Sequence, residues 1–430
     1  MKNFVLLILT LLSFEKSFAQ NYWIQYSTPA SRDLREIYFL DSLKGWAAGD
    51  QGTIVRTTNG GVNWTIQNSG IETDIYDLFF IDENTGWAIT WDIDFPGYYT
   101  IILKTTNGGT NWTTHQYPSE DNFFNAVYFL NPNTGFLGGV APDHLVRTTN
   151  GGINWTRMNI DSNIVSGFPI ISFKFFNDNY GFASGGHIDI AGVIWKTTDG
   201  GLNWKTEGVG PEPVQSIFMF DSLNIISAGG DYEYGTGIVT TTNGGTNWEY
   251  RSLEIFGIAS AISFRTRAEG WSPLGNAQKL IYTKDSSRTW GEWATPNSLA
   301  IYDLQFTDKR NGFACGENGT FFKYNKDLIN VNNNSEIIPS EFKLFQNYPN
   351  PFNPSTKISY RISSASNVSI SVYDAKGSFI NKIEEGFKLA GSYEINFDGK
   401  NLPSGVYVYK LDVSSGLKNF SESRKMVLVK

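Results

Sequence analysis

The sequence predicts an all-β chain: a seven-bladed β-propeller followed by a small Ig-like antiparallel β-sandwich. Three observations carry this. A strand–turn–strand pattern recurs seven times with fixed internal spacing. A glycine-rich turn ending in tryptophan recurs six times, and the piece that the last repeat lacks stands before the first. Aromatic residues make up 15% of the 430 residues and glycine contributes 43, a balance that suits short strands joined by tight turns.

The chain opens with Met1, Lys2 and Asn3, an apolar run from Phe4 to Phe14, and Ser17-Phe18-Ala19. A basic start, a short apolar core and small residues at its end predict a secretory signal peptide over 1–19. The run is shorter than the roughly 20 residues of a membrane-spanning helix, and no comparable run follows. No transmembrane segment is expected. Gln20 stands where a lipoprotein carries its cysteine.

The propeller is expected over 20–327. Each repeat begins with an apolar strand that ends at Phe39, Phe80, Phe129, Phe175, Met219, Phe264 or Phe306. Two residues later comes Asp, Asn or Thr, types that close a turn through their own side chains. A second strand then opens with Gly45-Trp46, Gly86-Trp87, Gly135-Phe136, Gly181-Phe182, Ile225-Ile226, Gly270-Trp271 or Gly312-Phe313. The third strand runs into TTNGGVNW, repeated with small changes and ending at Trp64, Trp112, Trp155, Trp204, Trp248 and Trp290. This element resembles the Asp-box, a hairpin turn of propeller blades. Its side-chain acceptors are Asn59, Asn107, Asn150, Asp199, Asn243 and Asp285, its glycines take positive φ, and its tryptophan plugs the blade.

The seventh repeat stops near Asp327 without that turn, whereas NYWIQYS around Trp23 reads like the fourth-strand segment NWTIQNS around Trp64. An open row of blades leaves unpaired edges at both ends, so the N-terminal strand is expected to complete the last blade and close the ring. The repeat as a whole, with GTIVRTTNGGVNW as its clearest copy, resembles the photosystem II stability and assembly factor family. That resemblance implies a binding scaffold with no catalytic residues to carry over.

Residues 328–341 are asparagine-rich and unpatterned, as a linker would be. From 342 to 430 the segments FQNYPNPFNPST, VSISVYDAKG, LPSGVYVYKL and the terminal KMVLVK resemble the type A C-terminal sorting domain of the type IX secretion system. By that resemblance Tyr348, Pro349, Asn350, Pro351, Gly405, Tyr407, Lys425 and Lys430 mark the signal. The type IX machinery is then a partner, and the chain travels through the periplasm to the outer surface or the medium.

Composition excludes much. A net charge of −8 argues against a nucleic-acid partner. The histidines, His115, His144 and His187, fall in separate repeats, and Cys315 is the single cysteine. No metal, cofactor or catalytic constellation is expected, and the chain is not read as an enzyme. Sialidases share Asp-boxes, but their early Arg-Ile-Pro segment is absent. Arg56, Lys104, Arg147 and Lys196, just before the boxes, read as solvated ends of third strands.

The loops joining second and third strands open on the face opposite the boxes, and three are enlarged. They hold Trp91, Asp92, Asp94, Tyr98 and Tyr99; His187 and Asp189; and Asp231, Tyr232, Glu233 and Tyr234. Carboxylates interleaved with aromatics suit binding of a glycan or a surface protein. The rival is a glycoside hydrolase using two of these acids.

Overall fold

The computed structural model describes residues 22–325 and 342–430, apart from 94–96, 141, 296, 363–365, 389–390 and 416–417. The expected signal peptide, the linker over 328–341 and Asp94 lie outside the described residues. The chain divides into two compact units, Met1–Lys326 and Asp327–Lys430.

Among the described residues the first unit forms seven sheets, antiparallel apart from one added strand in the fourth. The first sheet runs through Leu34–Phe39, Gly45–Gly49, Ile54–Thr57 and Thr65–Gln67, each strand pairing with the next. The hydrophobic alternation decides which way each strand faces: Leu34, Ile37 and Phe39 are buried while Arg35, Glu36 and Tyr38 between them are only partly covered. The second strand, GWAAG, is buried along its whole length because sheets cover both its faces. In six of the seven sheets the inner strand bulges near its start.

The inner strands of successive sheets touch in sequence, and the seventh, Ile301–Phe306, returns to the first. Between the fifth and sixth sheets, Ser216 Oγ accepts from the Ile262 N–H at 3.2 Å and Phe218 packs on Phe264. No ladder joins neighbouring inner strands, so side chains satisfy their backbone groups. Asp303 accepts from Ile37 N–H at 2.9 Å, Asp77 from Val127 N–H at 2.7 Å, and Gln305 both accepts from Phe39 N–H and donates to Phe39 O.

The last sheet has Trp23–Tyr26 as its outer strand, with Trp23 opposite Tyr324. Trp23 is fully buried and meets Trp271, Tyr324 and Phe306 with ring centroids 5.5–5.7 Å apart. A buried network anchors this seam: Glu269 accepts from Trp271 Nε1 at 3.1 Å and Tyr324 Oη at 2.6 Å, and pairs with Arg265 at 2.6 Å. Burial works to raise the Glu269 carboxyl, but Arg265 and Tyr324 outweigh it and hold it below its ordinary value.

The TTNGG turns share one geometry. Thr57 Oγ accepts from Gly61 N–H at 2.9 Å, and Asn59 Oδ1 accepts from Thr57 Oγ at 3.1 Å and Asn63 N–H at 2.9 Å. Gly61 lies at φ +75, and a Cβ there would sit 2.3 Å from the Phe321 ring. The divergent copy TKDSSRTW makes the same bonds through Thr283 and Asp285, with Ser286 and Ser287 forced to φ +62 and +67.

Two features depart from expectation. The fourth sheet gains a fifth strand, Asn159–Ile160, which pairs parallel to Asn203–Trp204 and covers an otherwise open outer edge. The cations before the boxes are not simply solvated. Lys104 Nζ donates to Gly151 O at 3.0 Å beside the Trp87 ring, and Lys196 Nζ to Gly244 O at 2.7 Å beside Tyr180. Each reaches the turn of the next sheet, whose carbonyls lie within range of a stem packed along an aromatic face.

Among its described residues the second unit has two sheets: Lys343–Leu344, Ser355–Ile362 and Gly391–Asp398; and Phe379–Lys388, Ser366–Asp374, Gly405–Ser415 and Lys418–Leu428. Tyr360, Ile370, Tyr409 and Met426, drawn from both, share one core.

Candidate ligand-binding face

Antiparallel strands alternate direction, so the second-to-third loops emerge on the same face as the connections that carry the chain from an outer strand to the next inner strand. On that face the fourth and fifth sheets build a cluster of carboxylates. Asp189, Glu212 and Asp231 bring one oxygen each within 4.8 Å of one another. Asp189 sits in a turn at φ +61, exposed, and its N–H donates to Glu212 Oε2 at 3.1 Å. Asp231 is buried and accepts from Glu233 N–H at 3.1 Å and Tyr234 N–H at 2.6 Å. It therefore shapes the loop as well as charging it. Burial raises the Glu212 carboxyl above its ordinary value, and Asp231, Asp189 and Glu233 add to the rise by repulsion.

Around the acids stand exposed apolar groups: Ile188 and Ile190 beside Asp189, Tyr232 and Tyr234 beside Glu233, and Phe256, whose ring lies 5.6 Å from that of Tyr232. Beside this cluster opens a cavity of about 480 Å³ lined by Glu36, Tyr76, Asn125, Ile171, His187, Ile188 and Gln215. Burial raises Glu36 well above the usual carboxylate range, and neighbouring Asp303 and Asp77, themselves raised by burial, reinforce the effect.

Asp189, Asp231, Tyr232 and Glu233 are thus brought together. Trp91 and Asp92 belong to the second sheet. Trp91 stacks on Tyr76 at 3.8 Å, meets Phe123 edge-on and donates from Nε1 to Phe124 O at 2.8 Å. These contacts give it a packing role between the second and third sheets. Asp92 pairs with Tyr99 at the end of the hairpin. Sequence reasoning missed Glu212 and Phe256. Both lie on outer-to-inner connections, and the acidic GPEP and apolar LEIF stretches there were the available signal.

In the second unit Tyr348 is 81% exposed, while Tyr407 is buried and donates to Pro403 O at 2.7 Å. Asn350 Oδ1 accepts from Val427 N–H at 2.8 Å, which ties the YPNP segment to the last strand. Pro349 O accepts from Thr356 Oγ at 2.8 Å, Pro351 lies in the same exposed segment, and Gly405 begins a strand opposite Leu428. Lys425 O accepts from Gln346 Nε2 at 2.7 Å, and Lys430 Nζ donates to Lys400 O at 2.7 Å.

Residues 63–217 match the family model described as photosynthesis system II assembly factor YCF48, and residues 346–428 match that of the secretion system C-terminal sorting domain. Among solved structures, YCF48 bound to D1 peptide is similar at 19% identity and TM-score 0.55, covering 71% of this chain and 97% of that one. YCF48 from Cyanidioschyzon merolae gives the same identity and TM-score, covering 71% and 99%. The GH74 enzyme of Niastella koreensis is similar at 14% identity and TM-score 0.54, covering 93% and 67%. No curated protein matches. These likenesses show the fold, an all-β propeller, and a type IX sorting tail of this kind indicates export to the cell surface or secretion.

Proposed function

We propose that this chain is a binding protein displayed on or released from the outer cell surface: a seven-bladed propeller with Asp-box turns, carried out by an Ig-like sorting domain after a signal peptide directs it to the periplasm. The observation that carries the binding role is the loop face of the fourth to sixth sheets, where exposed Tyr232, Tyr234 and Phe256 stand with Asp189, Glu212 and Asp231, next in the chain to residues that line a cavity. Exposed aromatic clusters of this kind are characteristic of interaction sites. The solved YCF48 complex holds a peptide, which supports a scaffold that binds.

The test is binding of the mature protein to a glycan array and to surface-protein extracts, with Tyr232→Ala and Tyr234→Ala beside wild type. Binding that both variants lose supports the proposal. Absence of binding, or binding unchanged in both, overturns it.

The proximity of Asp189, Glu212 and Asp231 favours a second reading, glycoside hydrolysis, for which GH74 enzymes supply the same fold. A retaining mechanism needs two carboxyl groups about 5–5.5 Å apart with one free to attack. Here Asp231 and Glu212 each accept backbone N–H groups of their own loops, which weights the face toward binding. Release of reducing ends from plant or bacterial polysaccharides, abolished by Asp189→Asn, would reverse that weighting.

A further inference from the structure

We infer, resting on the binding role proposed above, that the partner on this face is a protein segment in which Lys or Arg and apolar side chains share one face. The patch is built by GHIDIAG (186–192), GPEP (210–213), GDYEYG (230–235) and LEIFGIA (253–259). These four stretches carry Asp189, Glu212, Asp231, Glu233 and Glu254 and not one Lys or Arg. Elsewhere on this unit several acids at the surface have cationic partners: Glu83 pairs with Lys44, Asp221 with Arg267, and Glu292 with Lys279. Here negative charge accumulates, and an incoming cation relieves repulsion that the fold does not.

The same stretches expose Ile188, Ile190, Tyr234 and Phe256, each more than half accessible. A metal ion alone would satisfy the carboxylates and leave these side chains in water. A neutral sugar would use the aromatic faces but neither the aliphatic groups nor the excess charge. A segment carrying cationic and apolar residues two positions apart meets both, since side chains at i and i+2 of an extended peptide point the same way. The adjoining cavity, lined by Ile188 and Glu36 among others, has about 480 Å³. That is room for a long cationic side chain.

The experiment uses the mature full chain and two probes, a short peptide repeating Lys-Lys-Leu-Tyr, so that each face of the extended chain carries lysine and an apolar residue, and its copy with glutamate in place of lysine. Saturable binding of the lysine peptide, weakened by rising salt, is expected, with none of the glutamate peptide. Glu233→Gln and Tyr234→Ala, both at exposed positions, should each weaken it at least tenfold. Leu202→Ser, an exposed position in a turn on the opposite face, should leave it unchanged. Equal binding of both peptides, equal binding by all variants, or competition by calcium ions alone would overturn the inference. If neither peptide binds while a glycan does, and Tyr232→Ala abolishes the glycan binding, the basic partner is refuted and the binding face stands.

Discussion

Replacing Trp23 with alanine opens a hole where the N-terminal strand enters the last sheet. The side chain is fully buried and touches three rings, those of Trp271, Tyr324 and Phe306. Truncating a buried tryptophan costs about 3–5 kcal/mol through lost transfer energy and the cavity left behind. Edge-on ring contacts worth about 0.5–1.5 kcal/mol each fall within that sum. The Trp23 Nε1 has no hydrogen-bond partner, so phenylalanine in its place loses volume but no bond. Its expected cost is about 1 kcal/mol, the scale of one or two buried methylenes. Urea unfolding followed by tryptophan fluorescence separates the two variants. All 13 tryptophans precede residue 294, so the signal reports the propeller unit without interference from the tail. An alanine cost below about 1 kcal/mol, or a phenylalanine cost equal to that of alanine, would refute the view that this strand locks the sheets together.

Burial raises Asp77 to about 7 and Asp303 to about 6. The folded state therefore binds more protons than the unfolded one from about pH 4 upward, and the stability these groups contribute is full below about pH 4 and lost as pH rises through their folded values. Asp303→Asn keeps an acceptor for the Ile37 N–H and should flatten the decline of unfolding free energy between about pH 4 and 7; a decline as steep as wild type would contradict this. Ser286→Gly removes a side chain from φ +62 and should stabilise the propeller by about 0.5–1 kcal/mol, read as a raised urea midpoint. In the tail, Tyr409 donates to Phe345 O and accepts from Asn347 N–H, each at 2.7 Å, so Tyr409→Phe strands a buried N–H at a cost of about 1–3 kcal/mol, measured by thermal unfolding of the tail. A chain ending at residue 341 should stay inside the cell, and its appearance in the medium at wild-type level would exclude the tail as the export signal.

Much of the fold was legible because its determinants are local. The bonds from Thr57, Asn59 and Gly61 close within eight residues, and copies of that stretch announce themselves as text. The pairing of Trp23 with Tyr324 is long-range, yet it too was legible, because the missing fourth strand of the last repeat left a gap of known shape. The extra strand at Asn159–Ile160 was not, since two paired residues carry no periodicity. In the candidate site the enlarged loops were found, but not that Trp91 stacks on Tyr76: a packed aromatic near a loop is indistinguishable in sequence from an exposed one.

The amino-acid sequence by itself determined the repeating sheets, the residue types of their turns and the sorting motif of the tail, because each depends on neighbours a few residues away. Only the tertiary structure decided which side chains share a site. Asp189, Glu212 and Asp231 come from three separate connections, as do Tyr232 and Phe256 from two, and they meet because successive sheets bring loops remote in the chain to one face. The same holds for Glu36, Asp77 and Asp303, whose mutual repulsion exists only once the first, second and seventh sheets stand side by side and shut out water.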